Sequence, residues 1–151
     1  MKSSFALYLF LGLFAGALIP LQTSFNAVLG KRFPHPILPS AIVCIVSALY
    51  LMAVVLVLRP EVPSMEVIRE TPWLGWVGGA FGGTYILCLV FLVPRLGVGL
   101  TTVSAVFGQV LMGAALDHVG AFGMPKQEMS WVRFLAIVLM GSGVILFRRV
   151  A

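Results

Sequence analysis

Apolar positions along the chain fall into five long runs, residues 5–29, 37–58, 73–93, 96–116 and 131–147, separated by short polar links. Each run has about the 20 residues that an α-helix needs to cross the hydrocarbon core of a bilayer. Helix is the form they dictate, because a lone run in lipid must satisfy its own backbone N–H and C=O groups, and five long runs do not close a barrel. The links carry matching signals. "KRFPHP" ends the first run with two cations and two prolines, and Pro39 falls in the first turn of the second, where a proline is tolerated. "TPW" predicts an N-cap at Thr71, a proline at the first helical position in Pro72, and an interfacial tryptophan in Trp73. "VPRLG" separates the third run from the fourth so tightly that the two are expected to be antiparallel neighbours. The longest links, residues 59–72 and 117–130, share one face of the membrane; the charges of "SMEVIRE" in the first mark a solvated loop, with one or two turns of surface helix as the alternative.

Composition agrees with the pattern. Of the 151 residues 60% are hydrophobic and 10% charged, against roughly 25% charged in an ordinary soluble domain. Residues 1–151 read as a single transmembrane domain, all-α and integral to the membrane. The opening "MKSSFALYLFLGLFAGA" has the outline of a signal peptide, with Ala15, Gly16 and Ala17 as a small-residue site. The apolar run continues past that site to Leu29, which favours a first span. Cys44 and Cys88 fall mid-span in different runs and read as small core residues, not as a disulfide or a metal site.

Charge placement discriminates further. With five spans, one face carries Lys2, Arg59, Arg69, Lys126 and Arg133; the other carries Lys31, Arg32, Arg95, Arg148 and Arg149. Lys and Arg in short loops normally set orientation by their excess on the cytoplasmic side, and here there is none. Either one cation at a span edge outweighs the rest, or the chain inserts in both orientations and pairs with its own inverted copy.

Small and polar residues inside the runs indicate what such pairing builds. Gly75, Gly79 and Gly83 form a GxxxG ladder with Gly78 and Gly82 beside it, and Gly12, Gly16, Gly141 and Gly143 add more. Glycine at this spacing lets helix backbones approach closely; packing within one subunit is the expectation, with a dimer seam as the alternative. Gln22 and Asn26 stack four apart on the first span, with the hydroxyls of Thr23 and Ser24 beside them, and Pro20 predicts a kink two residues earlier. In the fourth span Thr101 or Thr102 and Ala105 lie along one stripe with Gln109 and Gly113. An unpartnered glutamine in hydrocarbon costs several kcal/mol, so Gln109 is expected to face another helix or a water-filled cavity, as interhelical glue or as a binding group.

Asp117 and His118 close the fourth span. A carboxylate is disfavoured at a helix C-terminus, so Asp117 is expected to pair with a cation on its own face, Arg59, Arg69 or Lys126; the alternative is an Asp-His pair exchanging protons at a vestibule. No Asp, Glu, Lys or Arg lies deep in a span, so a buried carboxylate is not offered for proton coupling. No metal-ligand spacing, Gly-rich phosphate loop or nucleophile-histidine pairing points to an enzyme or a cofactor, and the basic balance reflects membrane topology, not nucleic acid.

Taken together, "GLFAGALIPLQTSFNAVLGKRF", "PWLGWVGGAFGGTYI", "FLVPRLGVGLTTVSAVFGQVLMGAALDHVGAFG" and "RFLAIVLMGSGVIL" resemble the YdcZ family of bacterial inner-membrane proteins, a five-helix branch of the drug/metabolite transporter (DMT) superfamily. The resemblance implies that Gln22, Asn26, Pro94, Gly97, Gly108, Gln109, Asp117, His118 and Gly120 occupy characteristic family positions. Ala136 departs from it, standing where relatives commonly have glycine, as does Pro20. Members are similar to half of a ten-helix inverted-repeat transporter, occurring as single chains, as oppositely oriented pairs or as fused repeats, which agrees with the even charge split.

The expectation is therefore a multi-pass inner-membrane transporter of an unidentified small polar solute, an antiparallel, dual-topology dimer working by alternating access. Its partner is its own inverted copy or a homologous sister chain. Gln22, Asn26 and Gln109 are expected to line the site, with Tyr85 and Phe107 as aromatic walls or simple core packing. Asp117, His118 and Pro20 are the candidates for coupling or gating. The competing class is a channel subunit or a non-transporting assembly partner for another membrane protein.

Overall fold

The computed structural model describes residues 2–150 of the chain. The regular structure among them is helical: α1 (Lys2–Gly30), α2 (Ile37–Leu58), α3 (Met65–Glu70), α4 (Trp73–Val119) and α5 (Trp131–Val150), with a 3₁₀ turn at Ala121–Gly123. Four of these helices, α1, α2, α4 and α5, are long and apolar enough to cross a membrane.

α4 is the unusual one. Its 47 residues would reach about 70 Å as a straight helix, over twice the hydrocarbon thickness of about 30 Å. The helix is broken at one residue: Gly97 has φ 76° and ψ 165°, a backbone conformation open essentially to glycine alone. Pro94, three residues earlier, has no N–H to give the Val90 carbonyl. The expected "VPRLG" link is thus a one-residue break, with Pro94, Arg95 and Leu96 still helical. The Arg95 side chain donates to the Phe91 carbonyl and its guanidinium lies 3.6 Å from the Phe91 ring centroid, which fixes it against the last turn before the break.

The links differ from expectation in a second place. Residues 65–70 form α3, whose N-cap Ser64 accepts the Val67 N–H through Oγ, with Glu66 in the first turn and Arg69 in the last, both favourably placed for the helix dipole. Thr71 is not the N-cap of the next helix. Its hydroxyl donates to the Val67 carbonyl at 2.8 Å and its N–H to the same oxygen at 3.1 Å, so it ends α3. Ser64 and Glu66 are the starting signals of a helix too short to have a periodic pattern, the surface-helix alternative for this segment.

The packing divides into two units, Met1–Pro20 with Leu96–Ala151, and Leu21–Arg95. In the second, the buried side chains are Thr23 and Asn26 of α1, Pro39 and Ser40 of α2, and Leu89, Val90 and Val93 of α4. Gly30 sits against Val90, where a Cβ would stand 3.4 Å from its methyl. In the first unit, residues 98–119 of α4 and α5 run antiparallel, with Gly99 against Phe147, Phe107 against Gly141 and Asp117 near Arg133. A Cβ at Gly99 or Gly141 would meet the facing ring at 3.0 Å, tighter than ordinary contact. Phe107 is therefore a packing residue against α5. The loose point of the pair is at Ala136, which with Gly113 and Ala114 lines a gap of about 330 Å³.

The glycine ladder behaves differently. A Cβ added at Gly78, Gly79, Gly82 or Gly83 would meet nothing within 4 Å, and the same holds for Gly12 and Gly16. Gly75, the first of the ladder, has the Thr71 methyl at 3.4 Å from an added Cβ. Cys88 is exposed instead of lying in a core, and both cysteines are free.

Candidate functional site

Gln22 and Asn26 lie one turn apart on α1, which continues as a helix through Pro20. Thr23 is 1% exposed and Asn26 6%, while Gln22 and Ser24 are half-buried. The Asn26 Nδ2 is buried without a hydrogen-bond partner. A buried amide N–H left unmade costs about 1–3 kcal/mol in a protein and more in hydrocarbon, so this position is held against its own solvation preference. Tyr85 of α4 belongs to the same unit, Leu21–Arg95, and is half-buried. Pro20 is the residue at which α1 passes from one unit to the other.

Residues 98–119 of α4 carry the second polar group. Hydroxyls in helices commonly bond back to the carbonyl four residues earlier, and Ser40, Thr71, Thr84 and Ser142 all do so at 2.8 Å. Thr101 and Thr102 do not: both Oγ1 atoms are buried without a partner, and Thr101 is 1% exposed. Nothing in the sequence separates these two from the four that do. Gln109, two turns further along, is exposed on the surface of the single chain.

Asp117 and His118 do a different job from the amides. The Asp117 carboxylate pairs with Arg133 at 3.8 Å, not with Arg59, Arg69 or Lys126. Its backbone carbonyl accepts from Gly120 N–H at 3.2 Å and from Gln127 N–H at 2.8 Å. Arg133 in turn donates to both the backbone oxygen and the side-chain oxygen of Gln127. His118 accepts the Met129 N–H at Nδ1, 3.1 Å away. Gly120 holds φ 63°, and a Cβ there would press on the Lys126 Cβ at 3.2 Å. Together these bonds fasten the α4–α5 loop to the end of α4. Arg133 lies in the first turn of α5, inside the apolar run 131–147, whereas the cations that the sequence offers Asp117 stand in the links.

These positions fall within one family pattern: the family model "Putative inner membrane exporter, YdcZ" matches residues 7–146. The chain belongs to the YdcZ family. The match spans Gln22, Asn26, Tyr85, Gln109, Asp117 and His118 alike. Neither a curated protein nor a solved structure matches the chain. With four helices able to cross a bilayer and membership of a family of inner-membrane exporters, this YdcZ-family chain is a multi-pass membrane protein of a transport class, which is not an enzyme class.

Proposed function

We propose that the chain transports a small, polar, uncharged solute across the bacterial inner membrane as an antiparallel dimer of five-span subunits, by alternating access. The spans are α1, α2, the two arms of α4 on either side of Gly97, and α5. A straight α4 is too long for one crossing, and the glycine-only conformation at Gly97 supports a reversal there. Each subunit then corresponds to one half of a DMT-type inverted-repeat transporter, whose sites lie near the midplane at the repeat interface. The even division of Lys and Arg between faces supports insertion in both orientations, with an inverted copy or a sister chain as the partner. The open glycine face of α4 supports close approach of a second helix. Export is the direction that the family description favours.

The observation that carries the site is the buried, unpartnered Nδ2 of Asn26. An unmade donor beside the half-buried Gln22 fits a group reserved for a solute oxygen or for water that the solute displaces. Tyr85 of the same unit and Gln109 contributed by the inverted copy complete the proposed lining. No carboxylate lies deep in the spans to hold a permanent cation, which favours a neutral solute.

The test is tolerance of cells expressing the chain to a panel of toxic, neutral polar solutes. Protection by the natural chain should disappear in Gln22→Ala and Asn26→Leu at unchanged membrane abundance. Protection retained in both variants would place the site elsewhere. Loss only in step with abundance would assign the amides to structural glue.

A further inference from the structure

The unit Leu21–Arg95 has a second recess, separate from the amides. Gly30, Lys31, Phe33, Pro36, Phe91 and Arg95, with neighbouring residues, enclose about 310 Å³ where α1 ends and α2 begins. Its walls are mainly apolar and aromatic. Two cations line it, Lys31 from the turn after α1 and Arg95 from the last turn before Gly97, and both are exposed. Arg95 is held by its bond to the Phe91 carbonyl and its stacking on the Phe91 ring. No carboxylate lines the recess. The three acids of this unit, Glu61, Glu66 and Glu70, all follow α2, whose 22 residues span about 33 Å from the end that bears the recess.

Arg32 and His35 stand in the same turn, and His35 Nδ1 accepts the Ile37 N–H at 3.3 Å. The end of the unit that holds the recess is thus cationic, aromatic and located where long apolar helices stop. That combination complements a molecule with an anionic head and an apolar tail. In a bilayer the molecule of that chemistry at hand is a phospholipid.

We propose that this recess binds an anionic phospholipid, its phosphate between Lys31 and Arg95 and the start of an acyl chain on Phe33 and Phe91. The Lys31 ammonium is a mobile point charge, whereas the guanidinium is oriented before binding, so Arg95 directs the phosphate and Lys31 adds attraction. Basic recesses between membrane helices take lipid headgroups by this electrostatic route, and its strength falls with salt. This site uses none of the residues of the proposed solute path, and it holds whether or not the chain transports.

The full chain, purified in detergent, is titrated with phosphatidylglycerol and with phosphatidylcholine of the same acyl chains, and bound lipid is counted by native mass spectrometry. Phosphatidylglycerol should be preferred, and the preference should fall about fivefold for each cation removed in Lys31→Gln and Arg95→Gln. Arg69→Gln, at the acidic end, should leave it unchanged. A Phe33→Trp chain that keeps both cations gives a second measurement: chain-brominated phosphatidylglycerol should quench its added fluorescence more than chain-brominated phosphatidylcholine does. Equal binding of the two lipids, a preference that survives the double variant, or equal quenching overturns the proposal. So does saturable binding of inorganic phosphate without lipid preference, which would assign the recess to a free phosphate ion.

Discussion

Arg133 reaches from the first turn of α5 to the carboxylate of Asp117 at the end of α4, Nη1 to Oδ2 3.8 Å, while the same guanidinium caps Gln127 in the loop between them. Asp117 and His118, for which the sequence favours structural pairing over proton exchange at a vestibule, here both bond the α4–α5 segment. The Asp117 and Arg133 side chains are both more than a third exposed, so the ion pair itself contributes no more than about 1 kcal/mol. Asp117→Asn should therefore lower the thermal midpoint in detergent only slightly, and increase protease cleavage between residues 120 and 130. A transport step that lost its pH dependence in Asp117→Asn, with the loop as resistant as before, would instead assign Asp117 to coupling.

Gly97 offers a sharper contrast. Its conformation is closed to L side chains, so Gly97→Ala should cost about 1–3 kcal/mol and reduce both membrane abundance and the thermal midpoint. Gly108 is helical with nothing within 4 Å of an added Cβ, and Gly108→Ala should be neutral or slightly stabilising. The two variants, compared by thermal unfolding of purified protein, separate a glycine needed for its backbone from one that is not.

The antiparallel packing of α5 on residues 98–119 rests on glycines facing rings. Gly141→Leu should destabilise the chain by about 1–3 kcal/mol through overpacking against Phe107. Adding Phe107→Ala should recover part of that loss, because the two changes share one space. Gly143→Leu, where nothing lies within 4 Å of the Cβ position, should have little effect on the isolated subunit.

The fold was largely legible because membrane spans announce themselves by length and apolarity. The boundaries of α2 agree with the run that predicted them, residues 37–58. What escaped was local. Ser64 and Glu66 start a helix of six residues, too short for periodicity to register, and Thr71 was equally suited to cap the helix behind it or the one ahead. At the site, the spacing of Gln22 and Asn26 foretold one face of α1, but not that Asn26 would be buried with its donor unmade. That depends on what surrounds α1, as does the silence of the Thr101 and Thr102 hydroxyls beside four others that bond to their own helices.

Asn26 allows stability and function to be pulled apart. Replacing it by leucine removes a buried, unmade donor, and such replacements are nearly neutral or stabilising when no hydrogen bond is lost. Asn26→Leu should leave the thermal midpoint unchanged or raise it while abolishing solute protection. A fall of several degrees would show that the amide is bonded in the working protein, to its partner chain or to a structural water.

The antiparallel dimer is the central claim, and sidedness tests it most directly. Single cysteines placed at Pro34 and at Pro63, on a chain with Cys44 and Cys88 replaced by alanine, are exposed to an impermeant thiol reagent added outside intact cells, then again after lysis. The account predicts that each position labels in part from outside and reaches full labelling only after lysis, or that a single orientation is matched by an oppositely inserted sister chain recovered by cross-linking. Complete labelling of one position from outside and none of the other, with no inverted partner recovered by cross-linking, would contradict it.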